Sequence, residues 1–207
     1  MMDSSTYLSF LVREIHTVIV ATVDDEGLPV TAAIDMMDWD ENGLYFLTAK
    51  GKGFYDRLKK RGNLALTGIK GNDTMSRVAV SVRGKAEEVG PSVLPRLLEK
   101  NPYMYGIYPT EESRKALTVF RICAGNGEWF DLSKKPIERV SFVFGGKAVE
   151  PIRYHITDAC IGCETCGTAC PQNCIDFSNI PAVIQQEHCL HCGNCMQICP
   201  AGAVERG

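Results

Sequence analysis

Ten cysteines occur in the 207 residues, and nine of them lie between Cys160 and Cys199, with Cys123 alone outside. They fall in a repeat. Cys160-Ile-Gly-Cys163-Glu-Thr-Cys166-Gly-Thr-Ala-Cys170-Pro171 recurs 29 residues later as Cys189-Leu-His-Cys192-Gly-Asn-Cys195-Met-Gln-Ile-Cys199-Pro200. Iron in a cubane is tetrahedral and takes one soft thiolate per iron from the protein. Three thiolates spaced Cys-x-x-Cys-x-x-Cys wrap one cluster, and the fourth, three residues on and before Pro, points away to the other. The expected sets are therefore Cys160, Cys163, Cys166 and Cys199 for one 4Fe–4S cluster, and Cys189, Cys192, Cys195 and Cys170 for a second. Zinc modules use paired knuckles with four ligands per metal, which two triplets with trailing cysteines do not match.

Two cysteines fall outside this arithmetic. Cys174 follows Cys170 as Ala203 follows Cys199, so a small apolar residue fills its place in the other repeat. It and Cys123 read as core thiols. His188 and His191 flank cluster cysteines and, with every thiolate position filled, read as outer or surface groups.

A second group of residues could bind an anion. Leu44-Tyr45-Phe46-Leu47-Thr48-Ala49-Lys50-Gly51-Lys52-Gly53-Phe54 runs from a strand into a helix start, where free backbone N–H groups, two lysines and a hydroxyl come together. The competing reading is a solvated basic helix through Arg57, Lys59, Lys60 and Arg61. Tyr103, Tyr105 and Tyr108 either line a pocket or pack their own loop. No Gly-x-Gly-x-x-Gly follows a strand, so a dinucleotide-binding domain is not expected, and Gly125-Asn126-Gly127 reads as a turn.

The elements that must position these residues read as strands in the first part of the chain. His16–Val23 and Leu28–Met37 form a hairpin across Asp24-Asp25-Glu26-Gly27, and Asn42-Gly43 marks the turn into Gly43–Thr48. Phe54–Arg61 has helical spacing; Asn63–Ile69 and Arg77–Val89 are strands; Pro91–Lys100 and Glu111–Lys115 are short helices. Leu117–Ala124 and Trp129–Leu132 resume as two strands. Successive hairpins with only short helices call for a closed antiparallel barrel. Composition shifts near Glu150-Pro151, which divides the chain into a barrel domain, 1–150, and a cluster domain, 151–207.

From His16 to Val89 the chain resembles the pyridoxamine 5'-phosphate oxidase-like family of FMN-binding split barrels. The likeness lies in strand, Gly turn and strand, then Gly43-Leu44-Tyr45-Phe46-Leu47-Thr48 with lysines before a helix. It continues in Asn63-Leu64-Ala65-Leu66 and Val80-Ser81-Val82-Arg83-Gly84-Lys85-Ala86-Glu87. The tail resembles bacterial two-cluster ferredoxins throughout. These resemblances imply a mainly β split barrel with short helices, followed by a small α+β ferredoxin domain. They imply FMN with its phosphate on Thr48, Lys50 and Lys52 and its ring near Ala33 and Asp35, in a site shared by two copies of the chain. Haem and a deazaflavin are the alternatives that family members also bind. The chain departs from the oxidases at Thr31 and Ala32, where they place a basic residue. It departs again at Val78-Ala79-Val80-Ser81, where they carry Arg-Gln-Val-Arg, so pyridoxamine phosphate oxidation itself is not expected.

Charge narrows the partners. The net charge of −3 arises entirely after residue 150, where 2 basic and 5 acidic residues stand, while the first 150 residues balance. Such a chain has no basic surface for nucleic acid, and a mildly acidic tail suits a basic redox protein. With no apolar run of membrane-spanning length and no signal-peptide pattern at Met1-Met2-Asp3-Ser4-Ser5, a cytoplasmic protein is expected, in which cysteines bind metal. The sequence reads as an oxidoreductase that takes electrons from a donor protein through two clusters to FMN and on to a small oxidant. A non-enzymatic electron carrier is the alternative, with a cofactor-binding sensor or storage protein third.

Overall fold

Apolar alternation becomes a barrel in the computed structural model, which describes residues 3–146 and 152–207. The chain enters through Ser4–Phe10 (α1), where the Asp3 carboxylate accepts from the Ser5 N–H, and a wider π turn at Leu11–Ile15. Thr17–Val23 (β1), Pro29–Asp40 (β2) and Gly43–Ala49 (β3) then form consecutive antiparallel pairs. Gly53–Arg61 (α2) ends in Gly62 in the left-handed conformation, and Asn63–Lys70 (β4) and Val78–Glu88 (β5) follow. Leu94–Lys100 (α3), Met104–Ile107 (α4) and Glu111–Arg114 (α5) lead into the long strand Leu117–Asp131 (β6), which turns back as Glu138–Phe144 (β7).

Strand order is β3-β2-β1-β4-β5-β6-β7, and β3 also pairs with β6, which closes six strands into an antiparallel barrel with β7 added outside. Val18, Val20, Phe46, Val80 and Phe120 fill its interior. Gly43 has φ +130°, and a Cβ there would lie 2.0 Å from the Ile122 carbonyl oxygen, so β3 and β6 can approach only at a glycine. α1 packs over the sheet, with Tyr7 stacked on Phe142 at 4.5 Å between ring centroids. A second apolar layer, including Met37, Tyr45 and Leu97, sits beneath α3.

The closure is partial, and the gap matters. β2 pairs with β3 from Asp40↔Gly43 to Met36↔Phe46 and no further. Before Met36, β2 belongs to β1 alone; after Phe46, β3 belongs to β6 alone. The barrel is split between them.

Three sequence expectations change. The segment Gly125-Asn126-Gly127 is continuous strand, not a turn, and β6 is one strand where two were expected. A Cβ on Gly127 would lie 2.2 Å from the Phe142 ring, and one on Gly125 would lie 3.0 Å from Phe144. These glycines make room for aromatic rings of β7. α1 and β7 were not anticipated. Cys123 is half-buried, in a bulge where β5 shifts register against β6, so it is not a core thiol.

The tail is small and internally repeated. Tyr154–Ile156 (β8) pairs with Val204–Arg206 (β11), and Ile175–Asp176 (β9) pairs with Val183–Ile184 (β10). Thr165–Thr168 (α6) and Asn194–Ile198 (α7) are single turns at the repeat offset. The domain boundary expected near Glu150-Pro151 lies outside the described residues. The tail rests against its own barrel: Ile137 donates its N–H to Gln172 Oε1 at 3.3 Å, and its carbonyl meets His188 Nδ1 at 2.7 Å. No helix among the described residues is long and apolar enough to cross a membrane.

Candidate functional site

The cysteine-rich loops owe their shape to residues with positive φ, and these too repeat at the 29-residue offset. Gly162 and His191, Glu164 and Gly193, Asn173 and Gly202 are matched pairs, all left-handed, each with one glycine and one residue that is not. Such turns bend backbone N–H groups inward, as anion-binding nests do. The His191 N–H donates to Cys189 Sγ at 3.3 Å, the Cys174 N–H to Cys170 Sγ at 3.4 Å and the Ala203 N–H to Cys199 Sγ at 3.3 Å. Donors aimed at sulfur favour thiolates.

Two cavities result. One is lined by Cys160, Cys163, Cys166 and Cys199, together with Ile161, Ile180 and Phe177. The other is lined by Cys170, Cys189, Cys192 and Cys195, with Cys174 as a fifth cysteine. Both foursomes are those expected from the crossed pattern. Among the described residues no three such side chains converge tightly enough for a single metal ion. Four sulfurs spread around a cavity fit a cubane better than a point charge.

The thiols differ by surroundings. The Thr165 hydroxyl donates to Cys163 Sγ at 3.3 Å and holds that thiol below its ordinary range. Burial pushes Cys166 and Cys195 up. The neighbouring Cys174 thiol lowers Cys189, while Cys189, burial and Cys170 push Cys174 up, so Cys174 is the protonated member of the pair. Of the two histidines, His188 contacts the barrel through Ile137 and His191 lends its backbone N–H to Cys189.

In the barrel, Thr48, Lys50 and Lys52 end β3 and begin α2, beyond the point where β3 leaves β2. Ala33 and Asp35 stand on β2 beyond the same parting. The five residues therefore flank the split from its two strands. No side chain caps α2, so its first N–H groups face outward with the positive end of the helix dipole. Thr48 Oγ1 is buried and has no hydrogen-bond partner. Ala33 is exposed and sits opposite Ile19.

Asp35 is tied into a network instead. Thr17 donates to its Oδ1 at 2.6 Å and Tyr103 to its Oδ2 at 2.7 Å, while His16 Nε2 lies 2.9 Å from the Tyr103 hydroxyl. Burial works to raise the Asp35 carboxyl, but these hydrogen bonds and His16 outweigh it and hold the group low. Burial and the Asp35 carboxylate together push Tyr103 up. Tyr103 thus belongs to the rim of the split rather than merely packing its own loop.

Sequence from residue 7 to 128 matches the family described as pyridoxamine 5'-phosphate oxidase, which is more than half of the chain. The chain belongs to that family. Residues 159–203 match a 4Fe-4S dicluster domain, so this member carries an iron–sulfur ferredoxin domain behind its oxidase-type barrel. A NimC/NimA family protein from Clostridium acetobutylicum superposes with a TM-score of 0.57 at 16% identity, covering 68% of this chain and 91% of that one. A heme binding protein from Mycobacterium smegmatis superposes with a TM-score of 0.52 at 14% identity, over 70% of this chain and 60% of its own. Both share the fold. Among curated relatives, a component of an ion-translocating oxidoreductase complex from Methanosarcina acetivorans is 46% identical over 46 residues. That is 22% of this chain, which spans only 17% of the relative. Together these findings give an oxidase-family fold joined to an iron–sulfur, electron-transferring domain.

One residue of the oxidase-family barrel was hidden from sequence reading. Arg57 donates from Nε to Thr22 Oγ1 at 2.8 Å, and its guanidinium lies 3.2 Å from where a Cβ on Gly53 would stand. It overhangs Gly53, the first residue of α2, which directly follows Lys52 in the chain. Its neighbours on the basic helix do what a solvated face does: Lys59 pairs with Glu88, and Lys60 and Arg61 pair with Asp25. The run Arg57-Leu-Lys-Lys-Arg61 gives no sign of which cation turns inward. That depends on the Thr22 hydroxyl, which comes from another strand.

Proposed function

We propose that this oxidase-family member is a flavin- and iron–sulfur-dependent oxidoreductase. It takes electrons from a low-potential donor protein through two 4Fe–4S clusters to FMN and delivers them to a small oxidant. The observation that carries the reading is the pair of four-cysteine cavities, the second of which adjoins the side chains that dock on the barrel. Bound FMN would hold two electrons and release them as a pair, while iron–sulfur clusters move electrons singly.

The residues present fit a phosphate-bearing flavin. Lys50 and Lys52 immediately precede an uncapped helix start that Arg57 overhangs, a ready anion site, and the unpartnered Thr48 hydroxyl is an available donor. Such an anion site suits the phosphate of FMN or of a deazaflavin. Ala33, small and exposed beside the half-exposed Ile19, offers an apolar surface for a ring, and Asp35 with Tyr103 borders it. Each charge-assisted phosphate contact is worth roughly 1.5–3 kcal/mol. Replacing Lys50 and Lys52 together by Ala should lower FMN affinity by orders of magnitude and leave iron and sulfide contents unchanged. Wild-type protein purified anaerobically should carry about eight irons and eight sulfides per chain. Full flavin in the double variant would move the phosphate site elsewhere, and stoichiometric zinc without sulfide would end the cluster reading.

The barrel acts as a homodimer in this scheme. The outer face of β2, β1 and β4 exposes Ile19 by 52% and Ile69 by 56% amid small residues, a surface that a second copy would cover. Light scattering should give twice the chain mass; a monomer with full flavin would contradict it.

A further inference from the structure

Repeat symmetry breaks at one position of the second cavity. The two halves match at the 29-residue offset in eight cysteines and in their left-handed turns, and at equivalent places the N–H groups of Cys174 and Ala203 donate to Cys170 and Cys199. Ala203 and Cys174 are both buried, 1% and 3% exposed. A methyl group completes the wall of the first cavity; a thiol completes the wall of the second. Cys174 Sγ lies 3.5 Å from Cys170 Sγ and lines the space that Cys170 faces. An iron within bonding reach of Cys170 is therefore within about a side-chain rotation of Cys174.

We propose that Cys174 is a reserve ligand of the second cluster, which takes over the iron held by Cys170 when that bond is lost. The inference rests on the two-cluster reading above. In the exchange the Cys174 S–H bond breaks and its proton passes to the departing Cys170 thiolate. One Fe–S bond forms as another breaks, and no electron moves. The first cluster has no such substitute. Loss of Cys199 leaves only the methyl of Ala203 in the corresponding place, so the two clusters differ in how they survive damage to a ligand.

The test compares single and paired variants purified anaerobically, read by iron and sulfide analysis and by the electron paramagnetic resonance of the reduced protein. Cys174→Ala should keep both clusters, since Cys170 still serves. Cys170→Ala should also keep both, with an altered resonance for one. Cys170→Ala with Cys174→Ala should lose about four irons and four sulfides. Cys199→Ala should lose a cluster outright, and Cys199→Ala with Ala203→Cys should regain it, which transplants the device into the other half. Depletion of Cys170→Ala to the level of Cys199→Ala would overturn the proposal, as would failure of Ala203→Cys to restore iron. Fewer than two clusters in wild-type protein would instead overturn the two-cluster reading on which it rests.

Discussion

Thr165 and Asn194 occupy the same place in the two repeats and do different things. The Thr165 hydroxyl donates to Cys163 Sγ at 3.3 Å, whereas the Asn194 amide turns to the Ala169 carbonyl at 3.4 Å. Hydrogen bonds to ligand sulfur stabilise the more negative, reduced state and raise a cluster's potential. Thr165→Val keeps the shape and removes the donor. It should lower the potential of the first cluster and leave the second unchanged, as followed by redox titration of the resonances of the reduced protein. Equal shifts in both, or none, would show that the hydroxyl does not act on Cys163. The two groups of four cysteines that line the cavities were legible from spacing, because the crossed pattern of triplet and trailing cysteine fixes which belong together. What Thr165 does was not legible, since nothing in Glu-Thr-Cys against Gly-Asn-Cys states which side chain reaches sulfur.

Among the elements, β6 shows where periodicity misleads. Two glycines inside a strand read as a turn because glycine is a strand breaker in isolation. Here Phe142 and Phe144 of β7 lie across them, and β7 itself, Glu138-Arg-Val-Ser-Phe-Val-Phe144, gave no signal strong enough to set that pairing. The hairpins through β5 were legible to within a few residues, since their alternation and turns are local. α1 was missed because it is a seven-residue helix whose stability comes from Tyr7, Leu8 and, just after it, Leu11 packing on the barrel. Gly127→Ala tests the glycine argument. The added methyl would meet the Phe142 ring at 2.2 Å, and overpacking of this kind costs about 1–3 kcal/mol. Denaturant unfolding of the barrel should show an unfolding free energy lower by that margin and a lower midpoint; an unchanged midpoint would mean that Phe142 is free to move aside.

At the scale of the whole molecule, the placement of the ferredoxin domain carries the functional reading. Both backbone polar groups of the buried Ile137 are engaged by tail side chains, Gln172 and His188. These side chains sit two residues after Cys170 and one before Cys189, so the second cavity is the one held toward the barrel. A docked domain fixes a transfer distance and makes the donor's effective concentration independent of how much protein is present. Docking, and which cavity faces the barrel, could be read only from contacts between residues far apart in the chain. The direct test of internal electron delivery is rapid mixing of the anaerobic protein with a low-potential one-electron reductant. Iron–sulfur absorbance should bleach first and flavin absorbance second, with a flavin rate that does not change with protein concentration and that falls in Cys192→Ala while FMN stays bound. A flavin rate that scales with protein concentration, or one unchanged in Cys192→Ala, would contradict it and leave an electron carrier that delivers to another protein.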